Sequence, residues 1–308
     1  MGADKLRIVC GPTAAGKSSL ALELCERYQG AIVSADSRQV YCDFDIGTAK
    51  ATSEDCARVQ HYGIDVVDAD ERYSAARWAD AAHEWIECAC EIEKVPVVVG
   101  GTGLYIRALI DPLFVAPEVD ASRRAKLENE LERLTLAELR RWCEELDPAR
   151  AHLGRTQLVR AIETALLAGE RISDLHAKDN ARSAREAGTP VATYLVVDPG
   201  DSLRERIVNR VDAMLAAGWV DEVRELMQKI PADAPPWKAS GYGVIRDHLL
   251  GRADLSSARE RIIIETRQYA KRQRTWFRHQ LPAAAVTILN PEDSDSATAA
   301  REWWESAE

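Results

Sequence analysis

Short runs of apolar, largely β-branched residues recur along the chain, separated by longer stretches whose apolar positions fall three and four apart. The runs are Leu6 to Cys10, Ala31 to Ala35, Val95 to Val99, Val191 to Val197 and Ala285 to Leu289. Strands alternating with helices in this way predict a parallel sheet covered on both faces, an α/β doubly wound core. Between Asp111 and Gly188 the strand pattern stops. Pro112, Pro117 and Pro148 punctuate a stretch rich in Leu, Ala, Glu and Arg, with Leu127, Leu131, Leu134 and Leu139 at helical spacing. The expected division is a first core part over residues 1–111, a helical insertion over 112–190, and a second core part over 191–308. Leu203 to Lys229 reads as an amphipathic helical region broken at Gly218. The acidic, Ser/Ala-rich tail after Asn290 is expected to be disordered unless Trp303 and Trp304 pack it down.

The sharpest local signal sits on the first run. Gly11, Pro12, Thr13, Ala14, Ala15, Gly16, Lys17 and Ser18 fit G-x-x-x-x-G-K-[ST]. They follow a predicted buried strand and lead into a helix-like segment, Ser19 to Tyr28, the context this pattern requires. Such a P-loop converges backbone N–H groups and a helix dipole on an anion, adds the charge of Lys17, and offers the Ser18 hydroxyl to Mg²⁺. The motif alone does not say whose phosphates it holds.

Ligands of doubly wound sheets sit beyond the carboxyl ends of the strands. The second run ends in Ser34-Ala35-Asp36-Ser37-Arg38-Gln39-Val40-Tyr41, which places Asp36 to act as a general base, to bind a metal through water, or to cap a helix. After Val95 to Val99 comes Gly100-Gly101-Thr102-Gly103, either a site with one hydroxyl or simply a tight strand-to-helix turn. Near the C-terminus TRQYAKRQRTWF, residues 266–277, carries Arg267, Lys271, Arg272 and Arg274 among Tyr269, Trp276 and Phe277, with no acidic residue within it. In a chain of net charge −10 this reads as a phosphate-binding element with stacking surfaces, against the alternative of a solvated helix face.

Composition narrows the class. The 308 residues, 46% hydrophobic and 29% charged, are those of a globular protein able to bury a full core. Seven scattered cysteines without a C-x-x-C pair suggest neither a disulfide framework nor a zinc site. No apolar run reaches the length of a membrane span, and the N-terminus lacks a signal peptide's apolar stretch, so no membrane association and a cytoplasmic location are expected.

Taken in order, GPTAAGKS, SADSRQVY, DIGTAK at Asp45 to Lys50, GGTGLY at Gly100 to Tyr105, Arg160-Ala161-Ile162-Glu163, Gly241-Tyr242 and TRQYAKRQRTWF resemble the tRNA dimethylallyltransferase (tRNA isopentenyltransferase) family over nearly the whole chain. The resemblance implies transfer of a dimethylallyl group from dimethylallyl diphosphate to the exocyclic amine of the adenosine 3′ of the anticodon, with Mg²⁺ as cofactor. It implies that the P-loop grips the donor's diphosphate rather than hydrolysing ATP, so a nucleotide-binding label would reflect the motif. By position it makes Asp36 the general base and sets Thr102 beside the reacting centre. It gives Lys17, the loop from Gly11 to Ser18, and Arg210 to the diphosphate. Ser37, Arg38 and Gln39 would hold the flipped nucleotide. Arg124 and the segment Thr156, Gln157, Leu158, Val159, Arg160 correspond to regions that contact tRNA, with Lys271 and Arg274 on its phosphates. The insertion becomes a clamp on the anticodon stem-loop, and a monomer is expected.

Two departures stand out. The family pattern R-x-x-R-A has Gln157 in its first place, and His-His-Leu-Ile-Asp appears as His61-Tyr62-Gly63-Ile64-Asp65. Three other readings share features of the chain. An adenylate isopentenyltransferase acting on free AMP, ADP or ATP has the same P-loop and Asp, but no need of a long insertion or of the basic segment. A P-loop small-molecule kinase would use Asp36 toward a hydroxyl. A silent tRNA-binding module finds no support, since the donor motif is intact.

Overall fold

The computed structural model describes residues 5–111, 120–175 and 192–307. Pro112, Pro117 and the outer limits of the expected insertion lie outside the described residues. The chain divides into two compact units, Met1–Ile110 with Pro190–Glu308, and Asp111–Thr189.

The first unit is built on a six-stranded sheet in the order β3-β2-β4-β1-β5-β6, every pairing parallel. The strands are β1 (Leu6–Cys10), β2 (Gly30–Ser34), β3 (His61–Tyr62), β4 (Val95–Gly100), β5 (Ala192–Val197) and β6 (Val286–Leu289). Inner strands are mainly apolar because helices cover both faces: Val9, Ile32, Val97, Val99, Leu195 and Val197 all enter one buried cluster. β3 was not expected, and its two residues are too few to show a pattern in sequence.

Helices α1 (Lys17–Arg27), α2 (Ser53–Arg58), α3 (Ala75–Glu91) and α4 (Gly103–Ile110) belong to the first half of this unit. In its second half come α8 (Leu203–Ala216), α9 (Trp219–Lys229), α10 (Tyr242–Leu249), α11 (Leu255–Gln280) and α12 (Ser296–Glu305). Gly218 ends α8 and caps α9 at φ 97, so the break falls where the glycine stands. The tail is ordered as α12, the expected alternative in which Trp303 and Trp304 pack it down. Trp303 and Trp304 are 3% and 1% exposed, Trp304 stacks on Tyr28 at 5.1 Å, and Arg7 donates to the Trp304 carbonyl at 3.1 Å. Two buried indoles outweigh the polar residues around them, each supplying roughly 150–250 Å² of apolar contact.

The second unit is helical among its described residues: α5 (Ala121–Glu132), α6 (Leu136–Leu146) and α7 (Arg155–Ala168). Leu131, Leu139, Cys143, Leu158, Ala161, Ile162 and Ile172 form its core. Thr135 and Glu138 close a capping box on α6, and Gln157 bonds back to the Gly154 amide at the start of α7. Among the described residues no helix is long and apolar enough to cross a membrane.

Candidate functional site

β1 is the switch point of the sheet, with β4 on one side and β5 on the other, and the P-loop leaves its carboxyl end there. Gly16, in the left-handed region at φ 97, starts α1 without any side-chain cap, so the first-turn amides stay open to an anion. Lys17 folds back and donates to the Pro12 carbonyl at 2.7 Å. Burial, and then repulsion from Arg210, bring its ammonium down to about 8, with Asp36 opposing the shift. Arg210, from α8, is likewise held below its ordinary value by burial, again with Asp36 opposing. Two desolvated cations beside one carboxylate leave a positive pocket that a bound anion would stabilise.

Asp36 follows the end of β2, and Thr102 follows β4, its neighbour in the sheet. Adjacent strand ends therefore bring the two together. The Thr102 amide donates to the Ala35 carbonyl at 3.1 Å, and the Thr102 hydroxyl accepts the Ser37 amide at 3.1 Å. One Asp36 oxygen accepts the Arg38 amide at 2.8 Å, so the carboxylate is aimed by the turn it stabilises. The cap alternative is thus partly realised, and it serves to orient the group. From α11 the Tyr269 phenol comes within hydrogen-bond reach of Thr102, and burial, then the charge of Asp36, push it up to about 12.

Two cavities meet at these residues. One of about 60 Å³ is lined by Thr13, Lys17, Ser18, Arg210 and Gln273 among others, and the other is a cleft of about 400 Å³ with Ser37, Arg38, Trp219, Lys238 and Arg272 in its walls. Asp36, Thr13, Thr48, Arg210 and Tyr269 line both. A carboxylate therefore stands between a small cationic pocket and a larger cleft of mixed polarity.

Several expected contact residues are engaged within the protein. Gln39 donates to the Thr48 and Ala49 carbonyls at 3.2 and 3.0 Å and accepts from Ser34 at 2.9 Å, which ties it to the neighbouring loop. Arg38 donates to the Pro235 carbonyl at 3.3 Å. Arg274, expected on phosphate, pairs with Asp198 and the Gly200 carbonyl, so its guanidinium is taken up within the fold. Lys271 is exposed.

In the second unit Leu158 is fully buried, a core residue rather than a surface contact, because it lies on the inward face of α7. Thr156, Gln157 and Arg160 are exposed and Val159 half-buried. Arg124 donates to Glu163 at 3.3 Å. Burial raises the Glu163 carboxyl, with Arg124 opposing, and lowers the Arg160 guanidinium.

Gln273 was hidden in the basic segment. Only 6% exposed, it accepts the Thr13 amide at 2.8 Å and donates to the Gly101 carbonyl at 2.8 Å, joining the P-loop to the turn that carries Thr102. A Cβ on Gly101 would lie 2.3 Å from the Gln273 amide nitrogen, so this bridge requires glycine there. The available signal was the helical register of 266–277, which turns position 273 inward with Ala270 and Phe277.

Comparison with known proteins agrees with this arrangement. The family described as IPP transferase matches residues 39–280. A tRNA dimethylallyltransferase of Cyanothece sp. (strain PCC 7425 / ATCC 29141) is 36% identical over 299 residues, covering 94% of this chain and 93% of its own. One from Anaeromyxobacter sp. (strain K) is 38% identical over 302 residues, covering 93% and 98%. The crystal structure of the full-length tRNA isopentenylpyrophosphate transferase of Bacillus halodurans superposes with a TM-score of 0.69 at 31% identity, over 99% of this chain and 96% of that one. A eukaryotic dimethylallyltransferase acting on tRNA, at 23% identity and a TM-score of 0.76, shares the fold. The match of the family model over residues 39–280 and relatives 36–38% identical across more than nine-tenths of the chain establish that this protein belongs to the IPP transferase family.

Proposed function

We propose that the protein transfers a dimethylallyl group from dimethylallyl diphosphate to the exocyclic amine (N6) of the adenosine 3′ of the anticodon in tRNA, releasing diphosphate. The observation that carries this reading is the position of Asp36, shared by the pocket that holds Lys17 and Arg210 and by the cleft beyond it. The pocket's two cations and open α1 amides suit a diphosphate, and the cleft has room for a base turned out of its stack.

In the reaction the amine nitrogen attacks the allylic carbon as the bond from that carbon to the diphosphate oxygen breaks. The electron pair leaves on the diphosphate, where Lys17, Arg210 and the loop amides from Gly11 to Ser18 meet the growing charge. The proton lost by the amine passes to Asp36, held ready by the Arg38 amide. That amine is a weak nucleophile because its lone pair is delocalised into the ring, so a placed base contributes about 10²–10⁴-fold. Thr102, fixed between Ser37 and Tyr269, orients the amine or a diphosphate oxygen.

Mg²⁺ fits the donor set. Ser18 lines the pocket beside Lys17, and the described residues hold no cluster of three or more His, Cys, Asp or Glu, a pattern that suits an ion bound mainly by diphosphate and water. Bound there, it would supply positive charge at the leaving diphosphate. Acceptor contacts fall to Ser37, Arg38 and Lys271, and in the helical unit to Arg124, Thr156, Gln157, Val159 and Arg160. Exposed cations such as Arg160 and Lys271 suit RNA phosphates better than a free nucleotide. A cytoplasmic monomer completes the reading.

The test is Asp36→Ala. Turnover should fall by about 10²-fold or more while tRNA binding stays within several-fold of wild type. Equal loss of binding and turnover would remove the general-base role.

A further inference from the structure

The cleft's outer wall includes Gly47 and Thr48, in a loop that has no regular secondary structure yet is held by partners from distant parts of the chain. Glu222, on the first turn of α9, accepts the Ile46 amide at 2.6 Å and the Asp45 amide at 3.2 Å with one oxygen. Its other oxygen accepts the Tyr242 hydroxyl at 2.6 Å, and that hydroxyl in turn accepts the Gly47 amide at 3.1 Å. Three consecutive amides of the loop thus end on one carboxylate and the phenol it holds. Tyr242 is fully buried and packs against Phe44, Trp219 and Trp237, with ring centroids 4.9, 5.5 and 6.4 Å away. The Trp219 ring lies so close beneath Gly47 that a Cβ there would come within 2.2 Å of its indole nitrogen. From the other side Gln39 holds the carbonyls of Thr48 and Ala49, and Lys50 pairs with Asp45 and Asp65.

None of these contacts touches the P-loop. Glu222 and the three amides are absent from the donor pocket, which the loop meets only further on, at Thr48 and Ala49. We propose that Glu222 is a positioning residue for the acceptor: it fixes residues 45–47, of which Gly47 lines the cleft and none lines the donor pocket, and so sets acceptor affinity more than donor affinity. The proposal rests on the acceptor reading of that cleft. A carboxylate is needed because only it offers two acceptor oxygens to three donors at once. Glutamine keeps the shape but presents an amide N–H₂ toward either the loop amides or the Tyr242 hydroxyl.

The experiment measures Glu222→Gln and Tyr242→Phe by steady-state kinetics and by hydrogen exchange of the free protein. In both variants KM for tRNA should rise roughly tenfold, with KM for dimethylallyl diphosphate within twofold of wild type. Exchange at the amides of Asp45, Ile46 and Gly47 should quicken by about tenfold or more in Glu222→Gln while β1 and β4 keep wild-type protection. Donor and tRNA KM rising together, or unchanged protection at the three amides, would overturn the proposal. The exchange arm needs no turnover, so it stands apart from the reaction assigned to the protein. A wild-type protein that fails to modify tRNA would remove the function reading, whereas unchanged exchange would remove the role of Glu222.

Discussion

Lys17 is the residue whose titration reports most directly on the donor pocket. In the free protein burial and Arg210 bring it down to about 8, so the folded state releases that proton before the unfolded chain does. Stability of the free protein therefore rises as pH climbs through about 8 toward the ordinary lysine value, because the unfolded state binds the extra proton over that window. A diphosphate reverses the preference, since it favours the ammonium. Affinity for dimethylallyl diphosphate without tRNA should fall as pH rises above about 8, and Lys17→Arg should flatten that dependence because guanidinium stays charged. Isothermal titration across pH 7 to 10 checks this, and a flat wild-type profile would mean that Lys17 does not meet the diphosphate. At Gln157 the local role is a cap: its side chain bonds the Gly154 amide. Gln157→Arg should steepen the salt dependence of tRNA binding by about one unit of slope if this face meets phosphate, and leave it unchanged otherwise. The positions of Lys17, Ser18 and Asp36 beyond the strand ends were legible in the sequence because each follows an apolar run at short range. Glu222 and Gln273 were not, because their partners lie 176 and 260 residues away and no local pattern announces them.

Among the elements, α11 departs furthest from what its composition suggested. Its basic run reads as a solvent-facing phosphate grip, yet Gln273 and Phe277 point inward, Trp276 lies against Gly103, and Arg274 is paired with Asp198. Charge counts do not show which face a helix buries; the 3.6-residue register does. Replacing Gln273 by Leu would strand the half-buried Thr13 amide and the buried Gly101 carbonyl, a buried group being worth about 1–3 kcal/mol when left without a partner. We expect Gln273→Leu to lower unfolding free energy by about 2–4 kcal/mol and to raise donor KM and reduce turnover together, since the P-loop and the Thr102 turn are both released. Denaturant unfolding and steady-state kinetics measure the two effects, and a variant as stable as wild type would contradict the bridge. The short β3 was missed, and the order of the tail was legible only through its two tryptophans. Two residues are too few to carry a period, and in α12 two tryptophans prevail over a polar composition.

At the scale of the whole molecule the sheet sets the chemistry. Five of the six strands were visible as apolar runs, and their parallel order follows from the helices between them. Placing β2 and β4 side by side brings Asp36 and Thr102 together without either residue knowing of the other in sequence. The closing helix matters to that frame, because Trp304 seals the cluster containing Val9, Val97 and Leu195. Trp304→Ala should cost about 3–5 kcal/mol of stability, read by denaturant unfolding, and a loss under about 1 kcal/mol would mean the tail is dispensable. The helical residues and the sheet form separate compact units. The most direct measurement supplies the purified protein with Mg²⁺, radiolabelled dimethylallyl diphosphate, and either unmodified tRNA or free AMP. The account requires label in tRNA, lost in Asp36→Ala; label in AMP alone, or in neither acceptor, would contradict it.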